Sequence, residues 1–368
     1  MKRNTDRATC DDVEKRKRKR RKIAAVDVFC GAGGLSKGLV SEGIDVVAGI
    51  DADPACRYPY ERNNPGKFIE KKVEELSSAD VERLYPADAV KLLAGCAPCQ
   101  PFSTYTQGRS KRDDAKWELL KSFGELVGEI RPEIVTMENV PKLAEQTICQ
   151  TFIDDLIRME YHVFINPAVD CMAFGVPQTR KRLVLLASLL GPISLEVPET
   201  DPDRMPTVRS AIGHLPPIGA GEVCATDLLH RSSQLSEINI KRMKSSRPGG
   251  TWRDWNKKLV TKCHKKSSGK SYPSVYGRME WDEPAPTITT QFYGFGNGRF
   301  GHPEQDRALS LREGALLQTF PQDYEFVAAD DETYIKTVGR MIGNAVPVLL
   351  ARAIGRSIIR HVSSHGLV

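Results

Sequence analysis

Residues 23–36 read IAAVDVFCGAGGLS, and this stretch decides the fold. Its first seven residues, apolar except for Asp27, read as a buried β-strand, and a glycine turn and a helical pattern through Val40 follow them. A strand, a glycine turn and a helix are typical of the opening of a Rossmann-like nucleotide-binding sheet, because glycine lets the backbone approach a ligand closely and the helix N-terminus presents free N–H groups. A tight structural turn explains the glycines equally well.

A second predicted strand, residues 45–50, ends at Asp51. An acidic residue at this place, roughly 20 residues beyond the glycines, is suited to accept hydrogen bonds from ribose hydroxyls. The two features together predict an adenosine-type cofactor. The spacing Gly31-x-Gly33-Gly34 lacks the last, separated glycine of a dinucleotide fingerprint, which disfavours hydride chemistry.

A cysteine motif follows the strand predicted over residues 89–94, where residues 95–103 read GCAPCQPFS. A cysteine just past a parallel strand lies where open α/β sheets place their chemistry. Cys96 and Cys99 also have the spacing of a redox pair or of half a zinc site. A redox pair should open a helix at once, but a polar, glycine-containing run follows, and a zinc site would need distant ligands such as Cys263 and His264. The spacing alone leaves a nucleophilic, a redox, a metal-binding or a structural cysteine open.

Charged residues follow two further predicted strands. Glu138 ends the strand over residues 133–137 and is a candidate acid or hydrogen-bond partner for a substrate, although a solvated strand end is the ordinary alternative. Arg180 and Arg182 precede the strand over residues 183–187 and should share one side of an extended backbone, because strand side chains alternate.

Composition sets the broad class. The chain has 368 residues, 40% hydrophobic and 27% charged, as in a globular protein. We found no run near the roughly 18 apolar residues of a membrane span and no apolar core of a secretory signal. Nine cysteines, an odd and scattered set, suit a reducing cytoplasm. These features predict a cytoplasmic location.

The net charge of +6 is concentrated at the N-terminus. Residues 1–22 hold eleven Lys/Arg and four Asp/Glu, a net of +7, so that the remaining body carries 6 − 7 = −1. We expect a basic disordered tail over residues 1–22, which could be a nucleic-acid arm, a localisation signal or a solvated tail.

Six motifs in this order resemble those of the DNA (cytosine-5) methyltransferases of bacterial restriction-modification type. They cover about residues 23–188 and 280–360. They are Phe29-x-Gly31-x-Gly33-Gly34, Pro98-Cys99-Gln100-x-Phe102-Ser103, Glu138-Asn139-Val140, Gln178-x-Arg180-x-Arg182, Arg307 to Glu313, and Gly343-Asn344-Ala345-Val346-Pro347. The resemblance implies an α/β fold, a Rossmann-like S-adenosylmethionine-dependent methyltransferase domain with an inserted smaller target-recognition domain.

The resemblance also implies the catalytic residues. Cys99 would be the nucleophile that adds to C6 of cytosine, which makes C5 reactive toward a methyl donor. Glu138, in a protonated state, would contact N3 and the exocyclic amine of the cytosine. Arg182 would contact O2 of the base, and Arg180 would brace the catalytic loop.

The same resemblance implies S-adenosylmethionine as the cofactor and no metal. The cofactor-binding residues would be Phe29, Gly31, Gly33, Gly34, Asp51, Pro98 and Asn344. One departure is visible, because the family often has an acidic residue and an aliphatic one after the third strand, where they touch the adenine amino group. Here the corresponding stretch reads Lys71-Lys72-Val73-Glu74, which puts that contact in doubt.

The implied partner is double-stranded DNA, with the target cytosine flipped out of the helix. Residues 103–114 would close over the base, and four DNA-binding residues are expected there: Ser103, Arg109, Lys111 and Arg112. We further expect a cognate restriction endonuclease encoded nearby, a monomer, and no membrane partner.

The expected domains are a catalytic domain of residues 23–188 plus about 331–368, and a target-recognition domain with hinge over about 189–330. Lysines and arginines interleave with Trp252 and Trp255 in the latter, and no long helix fits it. No residue there can be assigned to base readout, and residues 293–299 either face DNA or form a turn.

Three alternatives remain at this stage. A tRNA cytosine methyltransferase shares the fold but usually carries a Cys-Phe-Thr tripeptide, which is absent here. A non-catalytic DNA-binding relative is disfavoured by the intact motifs around Cys99, Glu138 and Arg182. A nicotinamide-dependent oxidoreductase would rest on the glycine turn alone.

Overall fold

The computed structural model describes residues 21–98, 114–198, 205–328 and 334–368. The described strands are β1 (Ile23–Val28), β2 (Asp45–Asp51), β3 (Lys67–Glu70), β4 (Val90–Gly95), β5 (Ile134–Asn139), β6 (His162–Asp170), β7 (Gln178–Thr179), β8 (Lys181–Ser188), β9 (Val223–Cys224), β10 (Asp227–Arg231) and β11 (Ala285–Pro286). The described α-helices are α1 (Gly34–Ser41), α2 (Arg57–Asn63), α3 (Ser78–Glu82), α4 (Asp114–Ile130), α5 (Thr147–Arg158), α6 (Val208–Ile212), α7 (Glu237–Lys244), α8 (Leu311–Leu317), α9 (Ile335–Asn344) and α10 (Val348–Ser364).

A seven-stranded sheet in the order β3-β2-β1-β4-β5-β8-β6 forms the centre of the molecule. Strands β1 to β5 are parallel, whereas β8 is antiparallel to both of its neighbours. All six residues of β1 are buried, as expected for a strand with helices on both faces. The predicted α/β fold is confirmed.

The chain order reverses at β1, which pairs with β2 on one side and β4 on the other. Ligands of open α/β sheets bind outside the carboxyl ends of the strands at such a switch point. The carboxyl ends of β1, β4 and β5 therefore meet at one edge. The glycine turn follows β1, residues 96–98 of the cysteine motif follow β4, and Glu138 lies near the end of β5.

Helices cover the sheet in two layers. Side chains of α1 and α10 contribute to one apolar core, and those of α3, α4 and α5 to the other. Helices α1 and α10 pack so closely that a Cβ on Gly38 would stand 2.3 Å from the Cβ of Ala351. Residues Ile335–Ser364, which comprise α9 and α10, are long and apolar enough for a membrane span, but 67% of the most apolar window is buried inside the protein. This is the pattern of a core helix.

Between residues 205 and 282 the described chain has only short elements, as the sequence suggested. The longest is α7, with eight residues. A small aromatic core holds this region together, in which Trp252 and Trp255 are only 7% and 5% exposed. Strand β11, which follows this region, pairs with β7 in a separate two-stranded sheet immediately before Arg180.

Candidate active site

The turn after β1 has a strained backbone. Phe29, Gly31 and Gly33 have φ angles of 63°, 53° and 89°. A bulky residue with positive φ is an outlier, and such strain is concentrated at functional sites. The turn holds Phe29 at the carboxyl edge of the sheet.

One side of this turn is packed and the other is open. A Cβ on Gly33 would stand 2.4 Å from Nδ2 of Asn64, and one on Gly34 would stand 2.6 Å from the carbonyl oxygen of Val346. A Cβ on Gly31 would have no described heavy atom within 4 Å. Gly31 therefore borders open space, and the turn fits a ligand on that side.

Asp51 is held against the turn by its backbone partners. Its Oδ2 accepts a hydrogen bond from the N–H of Gly31 and its Oδ1 one from the N–H of Asp53, both at 2.9 Å. Burial raises the pKa of Asp51. Each carboxylate oxygen has a further lone pair, so the group can still accept ribose hydroxyls.

The side chain of Asp53 connects this site to α9. Its carboxylate pairs with Arg340 at 2.6 Å and also caps the 3-10 helix Pro54–Cys56. Helix α9 ends at Asn344, which is exposed. The next two residues, Ala345 and Val346, pack against the turn at Gly34. The C-terminal motif is therefore adjacent to the glycine turn.

A buried polar cluster lies beneath the turn. Oδ2 of Asp27 accepts a 2.7 Å hydrogen bond from Ser36, whose Oγ lies 3.2 Å from the hydroxyl of Tyr60. Within the described residues, Oδ1 of Asp27 has no hydrogen-bond partner. Burial raises the pKa of Asp27 to about 7. Nearby, the hydroxyl of Tyr324 donates to the carbonyl oxygen of Ala32 within the turn.

Glu138, the carboxylate at the end of β5, forms an ion pair with Arg182 and is almost inaccessible to solvent. Oε1 of Glu138 lies 2.9 Å from Nε of Arg182, and the side chains are 8% and 12% exposed. Burial raises the pKa of Glu138, although Arg182 and Arg180 act in the opposite direction. This environment favours a carboxyl group that can keep or share a proton.

The backbone that leads toward Cys99 is anchored by the neighbouring strand. Nδ2 of Asn139 donates to the carbonyl oxygen of Ala97 at 3.0 Å. Burial, together with the charge of Glu138, raises the pKa of the Cys96 thiol. Cys96 therefore stays a neutral thiol, which makes it a poor nucleophile.

Arg180 and Gln178 bind the backbone that follows residues 205–282. Arg180, 1% exposed, donates to the carbonyl oxygens of Ile288 at 2.9 Å and Ala345 at 3.1 Å. The side-chain oxygen of Gln178 accepts from the N–H of Ile288 at 2.8 Å, and its amide donates to Oε1 of Gln318 at 2.8 Å. Burial and Arg182 lower the pKa of Arg180 to about 9, which leaves it charged at neutral pH.

The sequence suggested that Arg180 and Arg182 share one side of an extended backbone. Arg180 lies in the link between β7 and β8, outside both strands. The two side chains consequently serve different partners, since Arg182 pairs with Glu138 and Arg180 contacts the hinge and the C-terminal motif.

Comparison with known proteins identifies the family. The sequence profile described as "C-5 cytosine-specific DNA methylase" matches residues 23–360. The chain belongs to this family. It is a DNA (cytosine-5-)-methyltransferase.

Similar proteins support this membership. The chain is 51% identical to the type II methylase M.HgiDII of Herpetosiphon aurantiacus, over 92% of this chain and 95% of that protein. It is 31% identical to the type II methyltransferase M.PspPI of a Psychrobacter species, over 94% and 80%. A putative DNA modification methyltransferase encoded within a prophage of E. coli has the same fold, with a TM-score of 0.72 at 20% identity over 93% of this chain and 100% of that one.

Membership of the cytosine methyltransferase family implies S-adenosylmethionine as the methyl donor. The described residues contain no group of three His, Cys, Asp or Glu side chains that could hold a metal ion. In the stretch after the third strand, Lys72 is exposed and Val73 is buried.

Five predicted site residues of this methyltransferase lie outside the described residues: Cys99, Ser103, Arg109, Lys111 and Arg112. Pro98, which precedes them, is exposed at the edge of the site. The sequence interpretation missed the supporting groups Asp27, Asn139, Gln178, Tyr324 and Arg340. Gln178 and Asn139 stand inside motifs that the resemblance had already singled out.

Proposed function

We propose that this methyltransferase flips a cytosine out of duplex DNA, adds the thiolate of Cys99 to C6, and methylates C5 within a specific short sequence. Glu138, Arg180 and Arg182 are the other proposed catalytic residues. The observation that carries this proposal is the buried pair of Glu138 and Arg182 at the carboxyl end of β5. It lies beside β4, the strand that leads into Cys99.

The proposed chemistry follows from the charges that develop on the base. Addition of a thiolate at C6 places negative charge on the ring and turns C5 into an enamine-like carbon. Glu138 supplies a proton at N3, which its buried site favours because burial raises its pKa. Arg182 orients Glu138 through the 2.9 Å contact and donates to O2 of the base. Removal of the C5 proton then allows Cys99 to leave.

The proposed methyl donor is S-adenosylmethionine, which supplies the electrophilic methyl group when bound. We assign Phe29 and Pro98 to the adenine, Asp51 to the ribose, and the turn of Gly31, Gly33 and Gly34 to the methionine portion, with Asn344 beside it. The open space at Gly31 and the anchored carboxylate of Asp51 support this assignment.

DNA is proposed to lie in a cleft between a catalytic domain of residues 23–188 plus about 331–368 and a recognition domain of about 189–330, in a monomer. Ser103, Arg109, Lys111 and Arg112 are proposed phosphate contacts near the flipped base. Their residue types fit that role, because hydroxyl and cationic side chains bind phosphate oxygens.

A restriction-modification role in the bacterial cytoplasm is proposed from the relatives, of which the two most similar described above are type II methylases. The partner would be an endonuclease that cuts the same short sequence and is encoded nearby. Sequencing of host DNA should reveal a methylated motif that disappears when this gene is deleted. Absence of any such motif would contradict the role.

The reaction is tested with duplex DNA that contains 5-fluorocytosine. Fluorine cannot leave C5 as the proton does, so the native protein with S-adenosylmethionine should remain covalently attached to the duplex after denaturation. Cys99→Ser should form no adduct, whereas Cys96→Ser, the matched control, should retain it. An adduct on structured RNA alone would indicate a tRNA enzyme, and DNA binding without any adduct would indicate a binding protein.

A further inference from the structure

The recognition region contains a stretch with one sign of charge. Residues 255–279 include six lysines and one arginine and no aspartate or glutamate. We call residues 256–272 the lysine loop. Five of its lysines are exposed and form no ion pair within the described part of the chain: Lys257, Lys258, Lys262, Lys265 and Lys266.

Rings beneath the lysine loop hold its backbone. The indole of Trp252 stacks on the imidazole of His264, with ring centroids 4.4 Å apart. The same indole donates through Nε1 to the carbonyl oxygen of Tyr272 at 2.9 Å. Nδ1 of His264 lies 3.0 Å from the carbonyl oxygen of Gly269. These contacts fix both halves of the loop to one buried core.

Arg242 of α7 supports the loop from the other side. Its Nε donates to the carbonyl oxygen of Leu259 at 2.8 Å, and its guanidinium lies 5.9 Å from the ring of Trp255 and 5.7 Å from that of Tyr276. A Cβ on Gly269 would stand 2.0 Å from the carbonyl oxygen of Cys263, so the turn closes too tightly for any other residue. The lysines are therefore displayed from an ordered backbone.

The same core connects the lysine loop to the catalytic part. The ring of Tyr276 contacts that of Phe295 at 5.3 Å, inside the glycine-containing turn of residues 293–299. Tyr293 in that turn packs on α9, where a Cβ on Gly339 would stand 2.4 Å from the tyrosine ring. The loop is thus attached to the segment that leads back to the cofactor side of the molecule.

Such a concentration of charge needs an explanation, because the chain outside residues 1–22 has a net charge of −1. Five like charges on an ordered loop repel one another and destabilise the isolated protein. A polyanion that binds there releases this repulsion, and a row of phosphates at regular spacing matches several lysines at once. Lysine acts as a point charge toward phosphate and carries no information about base sequence.

We propose that the lysine loop binds the phosphate backbone of duplex DNA as a sequence-independent clamp. This inference rests on the proposed function, since it concerns the same substrate. The loop supplies affinity, and the choice of bases belongs to other residues.

The test measures dissociation constants for a mixed-sequence duplex of about 30 base pairs over a series of potassium chloride concentrations. For B-DNA, the slope of log affinity against log salt falls by about 0.9 for each phosphate contact that is lost. Replacing all five lysines by glutamine should reduce the slope by at least about two units and weaken binding at least tenfold at low salt. The double variant Lys257→Gln/Lys258→Gln is compared with a control double variant, Lys67→Gln/Lys121→Gln. The control makes the same charge change on β3 and α4, outside the loop.

A slope change confined to the loop variants, with a thermal unfolding midpoint no lower than that of the native protein, supports the clamp. Equal slopes for the loop and control pairs would refute it, as would a loss of binding to structured RNA with duplex binding intact. Methyl transfer by the native protein is measured in parallel, so a protein that binds DNA through the loop but transfers no methyl group would contradict the proposed function and leave the clamp standing.

Discussion

The candidate active site and the lysine loop contain cations in opposite environments. Arg180 is 1% exposed and its N–H groups are directed at carbonyl oxygens of Ile288, Gly343 and Ala345. The five lysines of the lysine loop are exposed and form no ion pair within the described residues. A buried cation with fixed partners holds segments that are distant in sequence against each other. An exposed cation remains available to a polyanion such as duplex DNA. The first arrangement determines geometry and the second determines affinity.

The largest effect should come from the buried pair at β5. Glu138→Gln preserves the shape of the side chain but removes its transferable proton, so we expect kcat to fall by about 10²–10⁴-fold. The native rate should decline as rising pH removes the proton from Glu138, and the variant should lack that decline. Single-turnover methylation across a pH series measures both effects, and the salt slope of DNA binding serves as the control. A rate within tenfold of native would show that this pair is structural.

The second prediction concerns the buried arginine itself. Arg180→Met removes the described side-chain donor of the carbonyl oxygen of Ile288 and leaves that of Ala345 with only its bond from Gln318. The free energy of unfolding should therefore fall by about 3–5 kcal/mol. Arg209 is the matched control, because it pairs with Asp282 at 2.7 Å in a 55% exposed position. Arg209→Met should cost less than about 1 kcal/mol. Equal losses in denaturant unfolding would remove the distinction between buried and exposed cations.

The third prediction concerns the buried carboxyl beneath the glycine turn. The pKa of Asp27 is raised from 3.8 to about 7, so the folded protein holds a proton that the unfolded chain releases. Stability should therefore fall as pH rises from about 4 to about 7, by up to about 4 kcal/mol from this group.

Asp27→Asn should abolish that part of the pH dependence in denaturant unfolding at several pH values. Asp45→Asn, at the exposed start of β2, is the control and should keep it. An unchanged pH profile in Asp27→Asn would show that Asp27 does not hold this proton.

The fourth prediction separates the two sides of the glycine turn. Gly33→Ala should lower the free energy of unfolding by about 2–4 kcal/mol, because its Cβ would stand 2.4 Å from Asn64 at a φ of 89°. Gly31→Ala should cost only the backbone strain, about 1–2 kcal/mol, since no described atom lies within 4 Å of its Cβ.

If cofactor occupies the open side, Gly31→Ala should nevertheless raise the Kd for S-adenosylmethionine at least tenfold. Titration calorimetry measures this value. A Kd within twofold of native would place the cofactor elsewhere on the turn.

The smallest effect is expected for the exposed lysines. Lys257→Gln/Lys258→Gln should change the free energy of unfolding by less than about 0.5 kcal/mol, because these side chains are exposed and unpaired among the described residues. A loss above about 2 kcal/mol would mean that the lysines support the fold, and the contrast with Arg180 would then fail.

The sequence was sufficient for the features that depend on local pattern. Short apolar runs, the glycine turn before α1 and the carboxylates at strand ends encode β1, β2 and β5 and put Asp51 and Glu138 at one edge. The α/β fold and the family could be predicted because six motifs occur in a fixed order. Hydrophobic periodicity is a property of neighbouring residues, so it can be read along the chain.

Tertiary structure alone decided the partners of the buried polar groups. Arg180 contacts Ile288, 108 residues away, and Ala345, 165 residues away, and no local pattern encodes such pairs. Tryptophans and lysines also occur together along residues 252–270, and the sequence pattern did not show which of them are buried and which are exposed. Folding buried Trp252 and Trp255 and left the lysines in water, because burial of apolar rings lowers the free energy and burial of an unpaired ammonium group raises it.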